Sequence, residues 1–136
     1  ELYFTNVARK VDSGSIEKFA GRMFKPQDIP KAYLDYLGSD LSRRLSTIKA
    51  NKNDLVFTPQ ALDKNFAHYN HMKMPIEIIH GVEDFLLPIN SQAVAFNDVI
   101  PNSRLHILPK VGHMAHHFAF KEISDSISYI RNFSLT

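Results

Sequence analysis

The chain contains no cysteine. Neither a disulfide framework nor a thiolate nucleophile is open to it, so nucleophilic chemistry would need another residue type. It also lacks the run of about eighteen apolar residues that a membrane-crossing helix requires. The opening ELYFTNVARK has no long apolar core, so it does not read as a secretory signal. An excess of one charge sign is missing too. Sixteen Lys and Arg against fourteen Asp and Glu leave a formal net charge of +2. The basic residues are scattered, densest at Arg43-Arg44 and around Lys49 and Lys52, which gives little support to a nucleic-acid partner. Internal repeats and low-complexity segments are absent. These features fit a reducing compartment, and a cytoplasmic location is the expectation.

What is present is ordinary globular material: 136 residues, 44% hydrophobic and 22% charged, enough for one domain with a core. The first seventy residues read as helical. Ser13 or Ser15 can cap a helix with Ile16, Phe19, Ala20, Met23 and Phe24 on one face, ended by Lys25-Pro26. Asp28-Ile29-Pro30 opens a second, with Tyr33, Tyr36 and Leu37 on one face and Gly38 as its stop. Ser39-Asp40 opens a third, striped by Leu41, Leu45 and Ile48. A turn cluster at residues 51–54 follows, and Thr58-Pro59 starts a fourth helix with Leu62, Phe66 and Tyr69 in line. Residues 2–7 lean towards β structure.

From Met74 onward the pattern changes. Residues 76–79 and 105–108 are short apolar β-type runs, each leading into a glycine-bearing turn that ends on an ionisable residue, Asp84 and His113. Between them, residues 90–100 carry Ala93, Phe96 and Ile100 at helical spacing, with Asn90 or Ser91 as cap. This strand–helix–strand unit predicts two parallel neighbouring strands, with the acid and the histidine at the same carboxyl edge. A last helix begins near Ala115, with Phe120, Ile123, Ile127 and Ile130 in line; Glu122, Asp125 and Arg131 complement its dipole. The expected class is therefore α/β, with a helical region over residues 1–73 and an alternating region over 74–136.

The segments IIHGVEDFLLP and LPKVGHM resemble the acid-bearing and histidine-bearing turns of the α/β-hydrolase family. In the first, Gly81 precedes the acid by three residues and Pro88 closes the loop; in the second, Gly112 immediately precedes the base. The resemblance covers residues 74–130 and is loose before that. It implies a partial α/β-hydrolase fold in which residues from about 12 to 53 form a cap, or simply helices packed on the sheet. The family's nucleophile elbow, G-x-S-x-G, occurs nowhere in the sequence. Because the family order is nucleophile, acid, base, the resemblance implies a nucleophile on a segment outside this chain.

By that resemblance Asp84 is the orienting acid and His113 the general base. Imidazole titrates near neutrality, and a carboxylate bonded to one ring nitrogen leaves the other basic and stabilises the imidazolium. Glu83 is the alternative acid, and His116 and His117 compete with His113. A helical H-M-A-H-H would bring three imidazoles together as for zinc, but no further ligand pair is evident, and no metal or cofactor is expected. Phe85, Leu86 and Leu87 either line an acyl pocket or pack beneath the cap, and Met114 is placed to do the same. Phe85, Leu86 and Met114 are the candidate substrate contacts. Tyr33 and Tyr36 suit a core stripe better than the role of electrophiles on an epoxide oxygen. His80 packs or bonds locally, and His68, His71 and His106 lie on the surface or in packing.

The implied activity is hydrolysis of a carboxylic ester or similar small apolar substrate, the chain alone being inactive. An aspartate nucleophile would instead imply epoxide or haloalkane hydrolysis. A non-catalytic small-ligand sensor would show the same two residues. The expected partners are a small-molecule substrate and either the missing N-terminal half or a second copy, since two strands make a poor independent sheet.

Overall fold

The computed structural model describes residues 13–36 and 45–133. The chain divides into two compact units: Glu1–Arg22 with Asp28–Phe66, and Met23–Gln27 with Ala67–Thr136. The expected features at residues 2–7, 37–38 and 39–44 lie outside the described residues.

The first unit contributes only helices among its described residues. Helix α1 spans Ser13–Phe24, and its last residues pass into the second unit. It ends where expected, before Pro26, whose ring cannot continue it. A single turn, α2, covers Tyr33–Tyr36.

Helix α3 runs unbroken from Leu45 to Tyr69, which corrects the expected turn at residues 51–54. Asn, Lys and Asp are only weakly unfavourable inside a helix, by about 0.7 kcal/mol per residue at most, so a continuous hydrogen-bond ladder overrides them. The Thr58-Pro59 pair is likewise interior rather than a start. Pro59 has no N–H to give Leu55, and one residue earlier the Thr58 hydroxyl donates to the Asp54 carbonyl at 2.5 Å. The expected inward stripe of this helix is also revised. Leu62 and Phe66 are more than half exposed, and Tyr69 alone of the three is half-buried, its ring 4.8 Å edge-on from Phe96.

The second unit is built on two strands, β1 (Ile76–Gly81) and β2 (Ser103–Leu108). They pair in parallel from Ile76↔Ser103 to Gly81↔Leu108, as the alternating pattern predicted. Between them a 3-10 turn at Ile89–Ser91 leads into α4, Ala93–Val99. Neither Asn90 nor Ser91 caps α4. The N-cap is Gln92, with no side-chain bond, while the Ser91 hydroxyl donates back to the Pro88 carbonyl. Ser103 fastens β2 to the end of α4, its hydroxyl donating to the Ile100 carbonyl at 2.8 Å with the Asn97 carbonyl 3.0 Å away, and Ile100 is fully buried.

Side chains alternate across the sheet, so Glu77, Ile79, Leu108 and His106 share one face. There Ile79, Leu108, Val111, Ala115, Ala119 and Ile123 form the core. The last helix, α5 (Phe120–Asn132), reaches this face through Ile123 and the buried Ser126. Phe120 and Ile127, expected to face inward, are 71% and 61% exposed. The 3-10 turn at Ala115–His117 delays the helix and rotates its register, so the small Ala119 and Ser126 meet the sheet instead.

Glu77 lies on that face near the start of β1, its side chain 3% exposed. Its carboxylate lies 2.5 Å from His106 Nε2 and accepts from the Ser126 hydroxyl at 3.1 Å. Arg104 stands 3.4 Å from the other oxygen and lies over the Tyr129 ring. Of the two settings expected for His106, surface or packing, the half-buried ring takes the second, as the partner of a buried acid. Because His106 and Arg104 can rehydrate, Glu77→Gln is expected to cost about 1–2 kcal/mol rather than the larger loss of a fully enclosed pair. Urea unfolding measures this.

Candidate active site

Two turns meet at the carboxyl ends of β1 and β2. The acid turn leaves β1 through Gly81, and its Val82 amide donates to the Leu108 carbonyl at 3.0 Å, extending the strand pairing by one bond. Glu83 N then donates to Val111 O at 2.9 Å, which ties the acid turn directly to the histidine turn. Gly81 is required by this approach. A Cβ there would stand 2.2 Å from Val111 O and 2.6 Å from Gly112 O. On the other turn, Lys110 adopts φ 60°, a left-handed conformation that lets the chain reverse within a few residues.

Asp84 is buried, 8% exposed, and its two oxygens have separate work. Oδ1 accepts from the amides of Leu86 and Leu87, both at 2.9 Å. Oδ2 accepts from His113 Nδ1 at 2.9 Å. A carboxylate oxygen accepts, so Nδ1 carries the proton, and His113 Nε2 is left as the basic nitrogen of the neutral ring. Glu83, the alternative acid, is exposed and lies on the far side of the choice: it is Asp84 that meets the imidazole. The two residues are twenty-nine positions apart in sequence and are joined because parallel pairing brings both strand ends to one edge.

The histidine turn rests on a segment that the sequence did not connect with it. Gln27 donates through Nε2 to the Lys110 carbonyl, and its Oε1 accepts from Gly112 N at 3.3 Å. One side-chain amide therefore clamps both ends of the turn. Gly112 lies against the Lys25 carbonyl so closely that a Cβ would fall 1.7 Å from it. Phe24, fully buried, stands 5.0 Å from the His117 ring.

Of the candidate substrate contacts, Met114 is buried, Leu86 half-buried and Phe85 45% exposed. His113, His116 and His117 do not share one helix. His116 and His117 lie in the 3-10 turn with ring centroids 4.3 Å apart, and no cluster suited to a metal ion occurs among the described residues. Among these residues, too, no helix is long and apolar enough to cross a membrane.

Loss of hydration, then the charges of His117 and His113, hold His116 below its ordinary value of 6.5. The unfolded chain therefore takes up this proton first as pH falls below 6.5. Stability present above that pH is lost on acidification towards and through the lowered folded value. Thermal melts between about pH 7 and pH 5 should show a smaller acid loss in His116→Gln than in the native sequence.

Compared with known proteins, the chain matches no family model, no curated protein and no solved structure.

Proposed function

We propose that this chain carries the acid and base of an α/β-hydrolase, with His113 as general base and Asp84 as its orienting acid. The observation that carries the reading is the 2.9 Å bond from His113 Nδ1 to Asp84 Oδ2 at adjacent parallel strand ends. The orientation is the one a triad needs. The acid is desolvated and fixed by two amides, and the nitrogen remote from it is free to take a proton from a hydroxyl nucleophile. The nucleophile, a serine by preference, and the donors for the oxyanion are supplied by a segment outside this sequence. Phe85 and Leu86 follow the acid in its turn and the buried Met114 follows the base, apolar neighbours in keeping with a carboxylic ester or similar small substrate. That missing segment, or a second copy of the chain, is the partner that would extend the two-stranded sheet.

The chain alone should turn over a short activated ester no faster than its His113→Ala variant. The protein that also contains the nucleophile should form a covalent adduct with an organophosphate, and His113→Ala should abolish it. Turnover by the 136-residue chain that disappears with His113→Ala would put the nucleophile inside it. A longer protein that forms no adduct would favour a non-catalytic ligand sensor.

A further inference from the structure

The acid–base pair leaves His80 without a role, although it is enclosed beside Asp84 with its side chain only 12% exposed. Its Nδ1 lies 2.9 Å from the Gly81 carbonyl oxygen. A carbonyl can only accept, so Nδ1 carries a proton and donates. Nε2 is shut off from solvent, has no hydrogen-bond partner, and stands 3.6 Å from Asp84 Oδ2. A bare Nε2 would direct a lone pair at a carboxylate oxygen, leaving a buried acceptor unmet and facing negative charge. With a proton, the same atom becomes the positive partner of that oxygen, at ion-pair rather than hydrogen-bond distance. Asp84 has room for it: Oδ1 takes two amides, Oδ2 takes one imidazole, and a carboxylate offers about four lone-pair sites.

We propose that His80 is a positioning residue whose protonated Nε2 holds Oδ2 of Asp84, so that one carboxylate oxygen serves two imidazoles. This rests on the reading of Asp84 as the acid that orients His113. His80 acts through that acid: it resists rotation of the carboxyl group and shares its negative charge with His113.

The test is made on the 136-residue chain by nitrogen and proton NMR of its histidine rings, comparing the native sequence with His80→Phe and His80→Gln. Phe fills the ring's volume without a donor; Gln supplies a neutral one. Solvent exchange of the His113 Nδ1 proton should be about tenfold faster in His80→Phe, as befits losing an enclosed positive charge beside the shared carboxylate. His80→Gln should restore part of this, because its amide is a donor of similar reach without the charge. Native-like exchange in His80→Phe, or no rescue by Gln, overturns the proposal while leaving the Asp84–His113 pair intact. Should His80→Phe fail to fold, the native spectrum decides at about pH 8, where a free imidazole is neutral: protons on both His80 nitrogens support the proposal, and a bare Nε2 overturns it. Absence of a proton on His113 Nδ1 in the native chain would remove the pair itself, and the proposed function with it.

Discussion

Asp84→Asn should lower kcat of the nucleophile-bearing protein by about 10⁴-fold, the scale known for tautomer reversal in such triads. The reason lies in the division of labour between the two oxygens. Oδ1 faces two amide donors, from Leu86 and Leu87. An asparagine must therefore keep its carbonyl oxygen at that position, or else oppose donor to donor. Its NH₂ group then falls where Oδ2 stood, 2.9 Å from His113 Nδ1. A donor there demands a bare Nδ1 and moves the imidazole proton to Nε2, the nitrogen that has to be basic. Both turn amides stay satisfied, but the negative charge beside two imidazoles is lost, so about 1.5–3 kcal/mol of stability is at stake. His113→Ala removes the base altogether and should cost about 10⁶-fold in kcat, as removal of a triad base does elsewhere. In the 136-residue chain the same Asp84→Asn change is visible without turnover, as a shift of the His113 proton from Nδ1 to Nε2 in the nitrogen spectrum. Retention of the proton on Nδ1, or a kcat within about tenfold of native, would contradict the assigned roles.

The second large effect concerns the contact between the two turns. Gly81→Ala would place a methyl group 2.2 Å from Val111 O and 2.6 Å from Gly112 O, both backbone atoms with no side-chain freedom to yield. The turns must separate, and the Glu83 N to Val111 O and His113 to Asp84 bonds lengthen with them. A loss of about 3 kcal/mol or more is expected, the upper range for forcing extra volume into a packed site. Gly112→Ala should be comparable, because its methyl would meet the Lys25 carbonyl oxygen at 1.7 Å. Gly21→Ala is the informative contrast. It lies inside α1 and its nearest neighbour would be Ile29 Cδ1 at 3.8 Å. There the change should stabilise by about 0.5–1 kcal/mol through helix propensity alone. Urea midpoints of the three variants measure the difference, and equal midpoints would mean that the turns are not in contact as described.

The strands β1 and β2 were legible because apolar residues bounded by turn chemistry mark a strand locally, and a helix between two strands makes parallel pairing the natural outcome. Parallel pairing in turn brings Asp84 and His113 to one edge. The helical stretch was legible only in part. Propensity and turn signals placed a break at residues 51–54 and a start at Thr58-Pro59, yet α3 runs through both. Those signals are worth tenths of a kcal/mol each and lose to a continuous ladder. Periodicity also misjudged α5, where a preceding 3-10 turn rotated Phe120 and Ile127 outward and brought Ala119 and Ser126 to the sheet.

By itself, then, the sequence determined the class of the fold, the parallel strand pair and the choice of an acid and a histidine three and one residues beyond their respective loop features. These depend on neighbours within a few positions, where spacing along the chain translates directly into geometry. Only the tertiary structure decided which acid oxygen meets which ring, that Glu77 is paired with His106, that Gln27 holds a turn eighty-three residues away, and that His80 stands beside the same carboxylate as His113. Those contacts join segments whose separation in sequence carries no period, and the burial and hydrogen bonding that select them exist only once the chain has closed on itself.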